Sequence, residues 1–431
     1  MERKTQKHRL FNKKAGASVG VAIKVLTSVI LGAAMLAGTY GIVKTTVVPT
    51  TENKVSSMFE VTDAVELNGG GAGGGVVVPD PVVELKRNGI IPDGAVYTPN
   101  GGTALVGNGT NTFPETPATG DTYEEGDYVY TYNRRGSYGS DWSVKVKDTS
   151  KTTYGEILSE IIGKPITNMY MTFYNCTSLT TAPAIPNSVT SMYSTFWGCT
   201  SLTTAPTIPS SVTNMEYTFK ACTSLTTAPV IPSYVKNMRY TFDDCTSLIT
   251  PPDMSNANSV TSMFCTFVNC ASLTTAPTIP NRVTTMYQTF FNCTNLTTAP
   301  VIPSYVKDMT CTFDGCTSLT TTPDMSNASS VTNMSSTFRN CTSLTTASTI
   351  PNSVTNMSCT FQDCTSLTTA PVIPSYVKDM RYTFSGCTKL TGTIEVNANP
   401  TSYSNCLKST QITGITGSCS QTTKDRLMQT K

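Results

Sequence analysis

One eighteen-residue stretch, M-Y-S-T-F-W-G-C-T-S-L-T-T-A-P-T-I-P at 192–209, constrains this chain more than any other feature, because it recurs with small changes ten times between Ile166 and Leu390. Four ladders run in step. Met stands at 169, 192, 215, 238, 263, 286, 309, 334, 357 and 380; Phe follows four residues after each, Cys three later and Leu three after that. Successive cysteines of the ladder are 23 or 25 residues apart. A unit this short cannot fold alone, since its few large apolar side chains do not offset the roughly 1–2 kcal/mol per residue needed to order its backbone. Stacked units change the balance, because each coil then buries both sides of its apolar row.

A fixed apolar row with a period in the twenties predicts a repeat solenoid of the leucine-rich-repeat type, about ten coils of 23–25 residues built from short parallel strands and short helical turns. Within a coil, L-T-T-A-P-x-I-P is the expected extended segment, S-V-T-x-M the corner and x-x-T-F-x-x-C the helical turn. Coils joined as parallel strands rise about 4.8 Å each. The two 25-residue units carry P-D-M-S-N-A at 252–257 and 323–328, a turn-rich insertion expected to bulge from one edge. A longer period lies above this one: A-P-V-I-P-S-Y-V-K appears at 228–236, 299–307 and 370–378, always 71 residues apart, as if blocks of three coils had been copied whole.

These motifs resemble the BspA-like family of leucine-rich-repeat bacterial surface proteins. The family's run of Phe, G-C-T-S-L and then I-P-x-S-V-T stands almost verbatim at Phe313-Asp-Gly-Cys-Thr-Ser-Leu319, and N-x-S-V-T-x-M with P-D-M-S-N looks like its Met-rich variant. The A-P-x-I-P segment is one residue longer than the family's usual run. The resemblance covers about half the chain and implies a cell-surface interaction protein with no reaction attached.

Residues 1–14 form a basic segment, with Arg3, Lys4, Lys7, Arg9, Lys13 and Lys14, ahead of a membrane-spanning helix expected over 15–43; its core, 25–43, is 19 residues without a charge. Basic residues before the span place the N-terminus in the cytoplasm and the solenoid outside, with the lipid bilayer as a partner of the helix. The apolar run is long for a cleaved signal and has no good small-x-small site at its end, so a retained anchor is the reading, with cleavage the alternative. The segment 15–60 also looks like short single-span proteins carried on bacterial mobile elements. Residues 44–119, rich in Gly, Pro, Thr and Asn, are expected to be a linker. Residues 120–165 are the expected N-terminal cap: 127–132 and 142–147 alternate like two strands, and 153–162 carries apolar residues at helical spacing. The solenoid spans 166–390 and a C-terminal cap 391–431, with 424–429 as a last helical turn.

The inventory argues against an enzyme and calls for no cofactor. His8 is the only histidine, which removes His-based triads, acid–base pairs and His-containing zinc sites from the exported region. The glycine run 69–75 lacks the Lys-Ser/Thr of a phosphate-binding loop. Nine positive and nine negative side chains balance across the repeats, so the basic footprint of a nucleic-acid binder is missing. The ten ladder cysteines are expected to be small buried hydrophobes, with no C-x-x-C to suggest metal or redox work. Cys265, Cys311 and Cys359 recur in every second coil, on the order of 9–10 Å apart and too far for a disulfide. Cys406 and Cys419 remain a pair that an exported cap would allow. Of the paired threonines after each Leu, one is expected to face inward or pack sideways, which weighs against an ice-binding array.

What remains is the variable surface. The slots flanking T-F hold Tyr170, Tyr193, Trp197, Tyr217, Tyr240, Phe264, Tyr287 and Phe291 in the first six coils, and mostly small or polar residues later. Such a stripe serves either as a binding face for a protein or glycan ligand or as a cover for the thin side of each coil. The function expected is therefore a membrane-anchored extracellular adhesin or binding module at a bacterial surface. The competing reading is a structural spacer or assembly component of a surface or conjugation apparatus.

Overall fold

A computed structural model describes residues 43–44, 64–65, 84–135 and 139–431. The chain divides into two compact units, one of residues 1–52 with 61–83 and one of 53–60 with 84–431. The first unit is described only by an antiparallel pair, β1 (Val43–Lys44) and β2 (Ala64–Val65). The basic segment 1–14, the span expected over 15–43 save its last residue, and most of the linker up to 83 lie outside the described residues. Among the described residues no helix is long and apolar enough to cross a membrane.

The second unit opens with an eight-stranded sheet. Its strands are β3 (Lys86–Arg87), β4 (Val96–Thr98), β5 (Leu105–Val106), β6 (Thr122–Glu125), β7 (Tyr128–Arg135), β8 (Gly139–Val146), β9 (Glu160–Ile161) and β10 (Lys164–Asn168), in spatial order β3-β9-β10-β8-β7-β6-β4-β5. The expected hairpin is β7–β8, paired antiparallel with Tyr132 opposite Trp142. Two expectations fail here. Residues 84–119 are folded, not linker: Tyr97 is buried edge-on against Phe113, which packs in turn on Tyr123. Asp121 ties this segment down by accepting from the Tyr97 hydroxyl, the Asn100 N–H (2.8 Å) and the Ala118 N–H (2.7 Å). The glycines that suggested flexibility serve as turns; Gly94 and Gly101, for example, have positive φ.

The helix expected over 153–162 is also missing, because its N–H groups have tertiary partners. Gly155 donates to Asp127, Leu158 to the Tyr130 hydroxyl, Ser159 to the Leu85 carbonyl and Ile162 to the Arg87 carbonyl. The apolar side chains at helical spacing, Ile157, Leu158 and Ile161, are buried all the same. Tertiary pairing overrides local periodicity.

β10 runs parallel to β8 and hands its pairing to the solenoid. The residue before each ladder Met then forms a parallel bridge to the same slot in the next coil, unbroken from Asn168–Ser191 to Asp379–Ser402. A second, interrupted column runs through Thr181, Thr204, Thr227 and Thr250, with Thr275–Thr298 and Thr321–Thr346 further along. The extended segment is therefore only a bridge wide, as its prolines require. The helical turn is not a helix either. From Met169, every second N–H leaves its own coil: Met169 donates to Ser191, Met171 to Tyr193, Phe173 to Thr195 and Asn175 to Trp197, at 2.8–3.1 Å. The intervening Thr172 and the following Cys176 donate back three residues. This alternation needs left-handed backbone at two slots per coil. The slot two after Met has φ of 50–56° in all ten coils, and the slot six after Met is Asn, Asp, Gly or, at 221, Ala. A helix would spend these donors within a coil; here they bond coil to coil.

The four apolar ladders fill the interior, and the phenylalanines stack from Phe173 to Phe384 at 5.1–5.6 Å with rings within 14° of parallel. The C-terminal end carries a coil the motif misses. Met380 donates to Ser402, Tyr382 to Ser404, Phe384 to Cys406 and Gly386 to Lys408, so 402–410 is an eleventh arc with Tyr403 and Leu407 in the Met and Phe slots. Its signature is the left-handed pair Asn405 and Ser409. Parallel strands β11 (Thr391–Glu395) and β12 (Gln411–Thr416) and helix α1 (Gln421–Met428), capped by Ser420, close the end, with Leu427 buried.

Candidate functional site

The repeat leaves three slots free to vary on the arc that carries the aromatic residues: one, two and five after Met. Tyr170, Tyr193, Phe264 and Tyr287 occupy the first; Tyr217 and Tyr240 the second; Trp197 and Phe291 the third. The structure brings six of these into one file, Tyr170–Tyr193–Tyr217–Tyr240–Phe264–Tyr287, with consecutive centroids 4.7–5.6 Å apart. Trp197 lies flat on Tyr217 at 5.4 Å, and Tyr174, which the sequence reading passed over, meets Trp197 edge-on at 5.4 Å. Tyr170, at the end of the file, is 44% exposed, and the other seven candidates are half-buried.

Stacking along the coil direction decides what this file can do. Three of the five contacts are face to face and two are edge to face, so neighbouring rings and cations of the same chain take up ring face that a sugar or a partner's cation would need. The Arg239 guanidinium lies 4.4 Å over Phe264, and the Lys220 ammonium lies 5.5–5.8 Å over Tyr240 and Trp197. Edges and hydroxyls are what the file shows to solvent. Burial pushes the Tyr240 hydroxyl up to about 12, so it remains a neutral hydrogen-bonding group at physiological pH.

A second surface is far more open and carries no ring stacking. In A-P-V-I-P-S-Y-V-K the residues alternate outward and inward: Val230, Tyr234 and Lys236 face solvent above buried Ile231 and Val235. The same holds for Val301, Tyr305 and Lys307 and for Val372, Tyr376 and Lys378. Tyr234, Tyr305 and Tyr376 are 63%, 62% and 68% exposed, more than any other large apolar side chain among the described residues. They recur every three coils, roughly 14 Å at the parallel-strand spacing. In other coils this slot holds Ser or, at 282, Arg, and three of the serines bond the preceding coil: Ser188 donates to Ile166, Ser211 to Val189 and Ser353 to Val331, at 2.6–2.8 Å. A tyrosine gives up that inter-coil bond to display a ring in water. The sequence showed this period plainly, but copying alone accounted for it until exposure set it apart.

In the threonine pairs neither residue faces inward, and the first packs sideways on the coil before it. Thr203 and Thr204, Thr226 and Thr227, and Thr297 and Thr298 are exposed at both positions. The first of each pair sits with its hydroxyl on the preceding coil; Thr226 donates to Thr203 (3.3 Å) and Thr297 to Thr274 (3.1 Å). The threonine before each Phe is the buried one. Thr195 donates to the Met169 carbonyl and Thr312 to that of Met286, both at 2.8 Å. The ladder cysteines are fully buried and do more than fill space, since each thiol from Cys199 to Cys387 reaches a Phe carbonyl of the preceding coil at 3.0–3.2 Å. Burial pushes these thiols well up, and Cys265 in the other slot up to about 11, so they are protonated and poor nucleophiles. Cys406 and Cys419 are free thiols. No group of three or more His, Cys, Asp and Glu among the described residues is placed to hold a metal ion.

Comparison with known families gives the repeats a context. The family described as the BspA type leucine rich repeat region (6 copies) matches residues 168–274 and 216–336. A Mycoplasma protein family of unknown function, DUF285, matches 284–397, and a further family of unknown function matches 4–62. Among solved structures, a leucine rich cell surface protein from Faecalibacterium prausnitzii is 22% identical, with 70% of this chain and 96% of that one covered and a TM-score of 0.38. A leucine-rich repeat protein from Bacteroides ovatus is 16% identical over 67% of this chain and 89% of that one, with a TM-score of 0.35. One from Eubacterium ventriosum is 17% identical over 69% and 96%, with a TM-score of 0.32. No curated protein matches the chain.

Proposed function

Because its repeat region belongs to the BspA-like leucine-rich-repeat family of bacterial surface proteins, we propose that this chain is a surface interaction protein whose solenoid grips a protein partner through the Val–Tyr–Lys edge. The apolar segment at 15–43 anchors it in the membrane, with the N-terminus in the cytoplasm and the repeats outside. The observation that carries the binding reading is the exposure of Tyr234, Tyr305 and Tyr376 at equal three-coil spacing, in a slot where three other coils place a serine bonded to the preceding coil. Tyrosines presented singly on a rigid frame lose little entropy when they dock, and they dominate many interfaces. Three equivalent sites on one rod also add by avidity, so each contact can be weak. The match to the BspA type leucine rich repeat family supports a binding role.

The stacked file from Tyr170 to Tyr287 acts in this reading as the cover and stiffener of the thin side of the first six coils. A screen of the purified repeats against bacterial and host surface proteins, with glycans in parallel, separates the alternatives. Tyr234→Ser, Tyr305→Ser and Tyr376→Ser together are expected to weaken protein binding by at least about a hundredfold, given roughly 2 kcal/mol or more for a central aromatic contact, and to leave the fold intact. Loss of binding only on changing Tyr193, Trp197, Tyr217 and Tyr240 to Ser would move the site to the file. A glycan as the sole ligand would replace the protein partner, and binding indifferent to both sets would favour the spacer.

A further inference from the structure

The slot five after Met holds one pair whose chemistry goes beyond cohesion. Lys220 and Asp243 occupy this slot in adjacent coils, and the Lys220 ammonium is in direct contact with the Asp243 carboxylate. The place is unusually dry for an ion pair. Asp243 is 4% exposed, and the Lys220 nitrogen lies 5.8 Å from the centre of the Trp197 ring and 5.5 Å from that of Tyr240. A second carboxylate, Asp244, reaches to 3.9 Å from the same nitrogen and is held there by Asn269, whose side-chain N–H donates to it at 2.7 Å. An amine set against two aromatic rings, a buried carboxyl and a more exposed neighbouring carboxylate are the parts needed to make an amide.

We propose that Lys220 and Asp243 condense spontaneously into an intramolecular amide that covalently ties the third coil to the fourth. Transfer of one proton from the Lys220 ammonium to the Asp243 carboxylate across this contact gives the amine and the acid that react. Burial pushes the Asp243 carboxyl up, in the direction this step requires, against the opposing pull of Lys220. The lone pair on Lys220 Nζ attacks Asp243 Cγ and forms the C–N bond. Asp244 takes a proton from the attacking nitrogen and delivers it to the departing oxygen, and the C–O bond breaks to release water. An ammonium and a carboxylate thus become an amide and one water, with no oxidant or co-reactant and with Asp244 restored.

The protein carries its own control. In the same slot, Asp314 is 1% exposed and is bonded by Arg339 at 2.7–2.9 Å. The order is reversed here, with the carboxylate in the earlier coil and the cation in the later, and Gly315 stands in the slot of Asp244; a guanidinium also stays protonated and cannot attack. This also shows that the slot accepts arginine against aspartate without disrupting the coils.

The test is peptide mass analysis of the full chain, denatured and digested with trypsin. The expected result is a branched peptide joining the segments around Lys220 and Asp243, lighter than their sum by one water, with no cleavage after Lys220. Lys220→Arg should abolish the branch and keep the fold. Asp244→Asn should slow accumulation of the branch after synthesis by on the order of a hundredfold, as for loss of a general acid–base. Complete cleavage after Lys220, with the two segments recovered as separate linear peptides, would overturn the proposal. An unchanged rate in Asp244→Asn would overturn the role given to Asp244.

Discussion

Ala221 sits in a slot where the other nine Met-bearing coils place Asn, Asp or Gly, and its φ of 57° shows why those residues are used. A left-handed alanine is disfavoured by roughly 1–2 kcal/mol, of which a glycine's extra freedom in the unfolded chain takes back part. Ala221→Gly is therefore expected to stabilise the solenoid by about 1 kcal/mol in chemical denaturation. Gly198→Ala should do the reverse in the neighbouring coil. It meets the same backbone penalty at φ 77°, and its new Cβ would lie 2.2 Å from Asn175 Oδ1. The buried threonines give a second check: Thr312→Val keeps the shape but loses the bond to the Met286 carbonyl, and should cost about 1 kcal/mol. The thiols give a third. At neutral pH the ladder cysteines of the native chain should resist alkylation and react together on unfolding; fast labelling of the native chain would contradict their burial. The repeat spells out the Met, Phe, Cys and Leu ladders, so the core was legible residue by residue. One left-handed slot, six after Met, is marked by Asn, Asp and Gly, while the other, two after Met, holds residues such as Tyr217 and Cys265 that give no such mark; the use of either in bonding coil to coil was not legible, because periodicity reports which side chains are buried and says nothing of where N–H groups point.

Elements were legible where a pattern is local and not where partners are distant. The β7–β8 hairpin follows from alternation within a few residues, whereas the C-terminal helix was legible only as a turn over 424–429 and runs from Gln421 to Met428 behind the Ser420 cap. The segment 84–119 did not, since its Gly, Pro and Asn resemble a linker until Tyr97, Phe113 and Tyr123 are brought together. The helix expected over 153–162 failed for the same reason, its N–H groups being claimed by residues 85–130. The eleventh arc escaped because Tyr403 and Leu407 replace Met and Phe while the backbone is unchanged. This arc and α1 cover the row that ends in Phe384, Cys387 and Leu390, and a solenoid needs such a cover to remain soluble. A chain ending at residue 390 should expose that row and self-associate, giving a concentration-dependent shift in size-exclusion chromatography that the full chain does not show.

At the scale of the whole molecule, a rod built from copies turns small choices at one slot into a periodic surface. The aromatic file was legible as a set of residues, but its meaning changed once the rings proved to face one another. The Val–Tyr–Lys edge was legible as a 71-residue period, and only exposure distinguishes it from copying. The account stands on this edge being presented outside the cell. The most direct test uses intact bacteria making the full chain, treated with a membrane-impermeant amine reagent and then analysed by peptide mass. The account predicts that Lys236, Lys307 and Lys378 are modified in intact cells to the same extent as after lysis. Modification of these lysines only after lysis would place the repeats inside and contradict the surface-binding reading.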